Sequence, residues 1–210
     1  MTTRVGLLLF DEVEVLDACG PFEVFSVATR VAARDRPEHP APFAVTTVSV
    51  GADRTVRARG GLPIVADVLL ADVLADGTTF DLVVVPGGVT TAIEGDPDVL
   101  RWLGAAARSA RTVASVCTGA FPLARAGLLD GLTATTHWED LAELRERFPA
   151  VRVVDDVRYL DAGRVATSAG VSAGIDLALH LVARETDEQL AVATARQMDH
   201  PWTRADDGSP

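Results

Sequence analysis

Short unbroken apolar runs alternate with longer amphipathic stretches along most of the chain. Residues 5–10 (Val-Gly-Leu-Leu-Leu-Phe) are apolar throughout and stop at Asp11. Residues 81–85 (Asp-Leu-Val-Val-Val) and 112–116 (Thr-Val-Ala-Ser-Val) have the same character. Runs of this length without polar alternation predict strands buried on both faces, as in a parallel sheet. Residues 43–50 are rich in β-branched side chains and predict another strand. Helices are predicted over 20–33, with Pro21 in the first turn, and over 97–110, with Asp96 as N-cap. Further helices are expected over 120–126, 138–147, 171–184 and 187–198. Residues 56–64, around Gly60-Gly61, read as a small hairpin, and 133–136 as a short strand. Residues 151–160 and 164–167 read as a second hairpin, turning at 161–163. The alternation predicts an α/β fold: a doubly wound, mostly parallel, flavodoxin-like sheet with helices on both faces. It is expected as one domain over 1–202, followed by a polar tail over 203–210.

Composition narrows the class. The 210 residues are 48% hydrophobic and 23% charged, enough apolar material for a core and too much for a disordered chain. The net charge of −11 repels phosphate backbones, so nucleic acid is not expected as a partner. The apolar run near the N-terminus is too short for a signal peptide, and no run approaches the ~20 residues of a membrane span. A cytoplasmic protein is expected, with no membrane partner. Two cysteines, Cys19 and Cys117, make no disulfide framework. The sequence has no metal-ligand cluster, and Gly87-Gly88 is too short for a dinucleotide loop, so neither metal nor other cofactor is expected.

The strongest chemical signal is Thr112-Val-Ala-Ser-Val-Cys-Thr-Gly-Ala120. A β-branched strand runs into a nucleophile-capable residue, then small residues, then a helix. That is the context of a nucleophile elbow. Cys117 has a bland reading as a small buried hydrophobe. As the elbow residue at a helix N-terminus, it is instead expected to have a lowered pKa. Pro86-Gly87-Gly88 ends another buried strand. The amides of Gly88 and Thr118 are candidates for an anion or oxyanion hole, against the alternative of a simple turn.

Several runs together resemble the ThiJ/PfpI superfamily, which is related to class I glutamine amidotransferases. They are Val116-Cys-Thr-Gly-Ala120, Ala126-Gly-Leu-Leu-Asp-Gly131, Ala134-Thr-Thr-His-Trp138 and Thr167-Ser-Ala-Gly-Val-Ser-Ala-Gly-Ile-Asp176, with Val83 to Gly88 and Leu16-Asp-Ala-Cys-Gly-Pro-Phe-Glu-Val-Phe25. The resemblance extends from Val5 to about Trp202. It implies a nucleophilic Cys117 with an acidic residue beside it, and Asp17 occupies that place. Burial next to a thiolate would raise the Asp17 pKa and make it a general acid; the alternative is an N-cap for the helix near Gly20. The peptidase-like branch has a histidine directly after its cysteine. Thr118 stands there in this chain, which argues against Cys–His hydrolysis. The resemblance implies that His137 lies near the thiol pocket, to line it or only to bond to structure. His180 reads as a helix-face residue, His200 as a surface residue, His39 as part of a polar loop, and Cys19 as structural or near a subunit contact.

The Leu-Asp-x-x-Gly-Pro, Val-Cys-Thr-Gly and Ala-Thr-Thr-His-Trp runs are most similar to the isonitrile hydratase subgroup. They imply hydration of a small isonitrile to an N-substituted formamide, with Cys117 and Asp17 as catalytic residues. Two alternatives use the same thiol: a redox- or ligand-sensing protein, and a glyoxalase- or deglycase-like enzyme acting on α-oxoaldehydes. The first domain of AraC-type regulators shares these runs. With Pro210 as the last residue, an enzyme is expected rather than a regulator. A homodimer binding a small-molecule substrate is expected by resemblance.

Overall fold

The computed structural model describes residues 1–203. In chain order the strands are β1 (Thr3–Leu9), β2 (Phe43–Ser49), β3 (Thr55–Arg57), β4 (Pro63–Val65), β5 (Val68–Leu69), β6 (Leu82–Val85), β7 (Thr112–Val116), β8 (Thr133–Ala134), β9 (Arg152–Val153), β10 (Tyr159–Asp161) and β11 (Val165–Ser168). The helices are α1 (Val15–Asp35), α2 (Leu70–Asp76), α3 (Thr91–Glu94), α4 (Pro97–Ser109), α5 (Ala120–Arg125), α6 (Leu141–Arg147), α7 (Ala173–Glu185) and α8 (Glu188–Gln197). None of the described helices is long and apolar enough to cross a membrane.

The apolar runs behave as their pattern requires. They form the middle of a seven-stranded sheet ordered β10-β11-β7-β6-β1-β2-β5, parallel except for the edge strand β10. Successive side chains of a strand point to opposite faces. Leu82 and Val84 of β6 therefore pack with Val24, Phe25 and Leu177 of α1 and α7, while Val83 and Val85 pack with Leu103 and Leu123 of α4 and α5. Both faces are covered, so alternation with polar residues would bury polar groups.

Helix α4 begins where the sequence predicts: Asp96 Oδ1 accepts the amides of Asp98 and Val99 at 2.8 and 3.1 Å. Helix α1 begins earlier than predicted. Val15 opens it, and Pro21 lies inside rather than in the first turn. The amides of Asp17 and Ala18 bond to the Glu14 carbonyl, so Asp17 belongs to the first turn and does not cap a helix at Gly20. The hairpin at 161–163 forms, but its first strand is only β10; residues 154–158 are a loop. The short elements α2, α3 and β5 went unpredicted. Apart from Thr203, the polar tail over 203–210 lies outside the described residues.

Glycine positions test this packing. A Cβ on Gly119 would lie 2.1 Å from the Val85 carbonyl oxygen, a backbone atom that cannot swing aside. At Gly104, inside α4, the nearest atom to such a Cβ is 3.8 Å away. Gly119→Ala is expected to destabilise by about 1–3 kcal/mol or more, whereas Gly104→Ala should gain roughly 0.5–1 kcal/mol from helix propensity. Urea denaturation of the two variants measures both.

Candidate active site

The site is built where β7 ends. Cys117 has φ 56°, a left-handed conformation that costs a non-glycine residue about 1–3 kcal/mol. A 3-10 turn over 117–119 then leads into α5. Two hydrogen bonds hold the bend. The Cys117 amide donates to the Ala169 carbonyl at 3.3 Å, and the Thr136 hydroxyl donates to the Cys117 carbonyl at 2.8 Å. Gly119 allows the turn to press against β6. The thiol is buried, with 7% of Cys117 exposed.

Asp17 reaches the same place from α1 and is wholly buried. Its Oδ1 accepts the Val171 amide at 3.1 Å. Val171 is itself left-handed at φ 49°, an unusual posture for a β-branched residue, and so aims its N–H at the carboxyl. Asp17 Oδ2 meets no donor at ordinary hydrogen-bond geometry. A Cβ on Gly87 would lie 2.7 Å from Oδ2 and equally near the Thr118 nitrogen. A glycine at 87 is therefore required for the carboxyl to stand there.

The electrostatics follow from burial. Desolvation pushes the Asp17 carboxyl up to about 6; the charge of Glu14 adds to the rise, while the Cys117 thiol and the amides of Val171 and Gly87 oppose it. Burial, and then the charge of Asp17, push the Cys117 thiol up to about 12, against the opposing amide and hydroxyl of Thr118. The expected lowered thiol pKa is thus overturned. Helix α5 has only six residues and stands behind a 3-10 turn, so its N-terminal field is small beside desolvation and the facing carboxylate. The expected rise of Asp17 is present.

Thr118 lies against the sulfur, but Gly88 is engaged elsewhere. Its amide donates to Thr118 Oγ1 at 2.9 Å, and that hydroxyl donates back to the Gly88 carbonyl at 2.9 Å. Gly88 has φ 134° and bridges Val13. Its amide locks two strand ends together instead of facing a ligand, so the pairing of Gly88 and Thr118 amides in one anion hole is not formed.

His137 lines a cavity of about 650 Å³ beside the pair. Its ring packs on Trp138 with centroids 5.6 Å apart, and Nδ1 lies 3.4 Å from Asp140 Oδ2. Thr136, Ala169 and Val171 form the inner wall of the cavity and are hydrogen-bonded to Cys117 and Asp17, so the cavity abuts the pair. A larger groove of about 830 Å³ runs between α1 and α8, near Arg34, at the opposite end of α1 from Asp17; it holds neither cysteine. His180 and His200 do not join the site. His180 Nε2 pairs with Asp161 Oδ2 at 2.7 Å. His200 is not a simple surface residue, since its Nε2 meets the buried Asp176 Oδ1 at 2.8 Å. His39 is exposed beside Glu38, and Cys19 is exposed on α1. Reading the sequence missed Gly87, Thr136, Ala169 and Val171 as individual participants. The backbone groups of Ala169 and Val171 have no residue-type signature, and the parts played by the Thr136 hydroxyl and the missing Cβ of Gly87 depend on contacts distant in sequence, though all four lie in or beside the quoted motifs.

The DJ-1/PfpI family model matches residues 3–184. The isonitrile hydratase of Pseudomonas putida is 31% identical over an alignment covering 100% of this chain and 84% of that protein. The HTH-type transcriptional regulator GbdR of Pseudomonas aeruginosa is 34% identical over 90% of this chain and 48% of its own length. The chain thus spans about half the length of that relative. In fold, DJ-1beta of Drosophila melanogaster superposes with a TM-score of 0.81 at 20% identity, over 96% of this chain and 100% of that one. The regulator relative corrects one expectation. Acidity was read as excluding nucleic acid, but GbdR is named for a helix-turn-helix and this chain corresponds to only about half of it. The charge of one such portion does not decide the partners of a whole regulator. With the fold, the elbow and a family match over most of its length, the chain belongs to the DJ-1/PfpI family.

Proposed function

We propose that the chain is a cysteine-dependent hydro-lyase of the isonitrile hydratase kind, converting a small isonitrile and water into an N-substituted formamide. The observation that carries this reading is the wholly buried Asp17 carboxyl set against the Cys117 thiol. A carboxyl near pKa 6 facing a thiol near 12 is arranged to shuttle one proton.

At neutral pH the resting pair is a carboxylate and a thiol. Asp17 takes the thiol proton as sulfur bonds to the terminal carbon of the isonitrile. It then returns that proton to the same carbon, giving a thioimidate, R–N=CH–S–Cys117. Water adds to this carbon, the C–S bond breaks, the sulfur recovers a proton, and R–NH–CHO leaves. The Thr118 amide, beside the sulfur, steadies its negative charge. A ligand-sensing role without turnover is the second reading, favoured by the likeness to GbdR.

Incubation with cyclohexyl isocyanide should yield N-cyclohexylformamide by mass spectrometry, with none from Cys117→Ser. No formamide from any isonitrile, neutral or charged, at any concentration defeats the hydration reading. Activity should fall as pH drops through about 6, because Asp17 must be ionised to accept the proton.

Asp17→Asn should lower kcat by roughly 10²-fold or more, yet speed alkylation of Cys117 at pH 8 by removing a charge that holds the thiol up. It should also stabilise the fold. A carboxyl whose folded pKa exceeds its unfolded one favours the folded state when protonated, and that advantage is lost as pH rises from 3.8 through 6. The Asn variant should therefore melt above the parent at pH 7–8, by up to about 3 kcal/mol, with the gap closing toward pH 4. Equal melting temperatures at pH 8 would contradict the assignment of burial as the main cause.

A further inference from the structure

The cavity beside the Cys117–Asp17 pair holds one arginine, and its setting indicates what enters. Arg158 ends the 154–158 loop and lines the cavity wall. Its Nε bonds to Oδ2 of Asp176, a residue with no exposed surface, and its Nη2 lies 3.4 Å from Ser172 Oγ. Asp176 is fixed in turn: its Oδ1 accepts from His200 Nε2 at 2.8 Å and from the Thr203 amide at 3.2 Å. The guanidinium is thus anchored on one edge while its side chain remains 37% exposed. Among the described residues, Nη1 donates to nothing. A planar fork of donors held in place loses little entropy on meeting a carboxylate. The same cavity is lined by Trp138, Leu141, Val157 and Val171, which supply apolar contact, and its inner wall is Thr136 and Ala169, each bonded to Cys117. One acidic side chain, Asp156, also lines it, but Asp156 is exposed, where water and salt screen its charge.

We infer that this cavity is a subsite for small carboxylates, with Arg158 as the specificity-determining residue. It selects compounds whose hydrocarbon part lies along Trp138 and Val171, and whose anionic end meets the free edge of Arg158. The inference rests on Cys117 as the reacting residue and narrows its substrate to electrophiles that carry a carboxylate, such as isocyano acids.

The test needs no turnover. Iodoacetamide labelling of Cys117, resolved from exposed Cys19 by peptide mass spectrometry, is followed in the presence of cyclohexanecarboxylate or its neutral carboxamide. The acid should protect at about tenfold lower concentration than the amide, the worth of one charge-assisted hydrogen bond. Arg158→Met should erase the difference and Arg158→Lys should keep part of it. Equal protection by acid and amide in the parent protein, or an acid preference that survives in Arg158→Met, overturns the subsite. The parent comparison stands even if the Met variant fails to fold. Acid-selective protection without formamide from any isonitrile sinks the hydration reading alone, while formamide without acid preference sinks the subsite alone.

Discussion

The rest of the site depends on one backbone constraint, the left-handed turn at Cys117. An L-residue does not adopt it unaided, so the neighbours must hold it. Thr136 and Ala169 do so with one hydrogen bond each, and Gly119 does so by letting the turn press against Val85. These partners come from three separate segments. Residues 134–138 and 167–176, the motif runs that flank the elbow in space, are the clamps of the bend. Strain of this size, about 1–3 kcal/mol, is matched by two hydrogen bonds of about 1 kcal/mol each plus packing.

The second constraint is charge in a dry place. Asp17 is brought from α1 to a position where an ionised carboxylate is costly and where its charge raises the pKa of the Cys117 thiol, while the thiol's hydrogen bond lowers that of Asp17. The two groups titrate as a unit, and the proton between them belongs to the pair. A cysteine paired with histidine reaches its thiolate by gaining a cation nearby. Here the cation is missing, and the sulfur depends on a carboxylate that can accept its proton only at the moment of reaction. That arrangement suits addition to a neutral carbon, in which the same proton is needed again one step later.

The legible parts of the fold were those with a pattern of apolar runs or a cap. Residues 81–85 and 112–116 announced buried strands because helices cover both faces, and Asp96 announced its helix through a cap that the structure contains. Pro21 misled: a proline ordinarily marks the first turn, yet this one lies inside α1, which starts before it. The pairs of residues in β5 and the seven of α2 are too short to show a period. At the site, the residue types were readable and their wiring was not. Nothing in Gly87-Gly88 told which glycine would face the carboxyl and which would be bonded to Thr118. The direction of the thiol shift also went unread, because a helix N-terminus can be seen in a sequence whereas the depth of burial cannot.

The pairing of a buried thiol with a buried carboxyl reverses the usual relation between folding and chemical vulnerability. In an unfolded chain Cys117 would be an ordinary cysteine, ionising near 8.5. Assembled, it is held near 12. Alkylation or oxidation of this thiol is therefore slower in the folded molecule than in one that has opened. Folding thus protects the cysteine it positions, and the contacts of β7, α1 and the 167–172 segment that hold the site together are also what keep its thiol protonated.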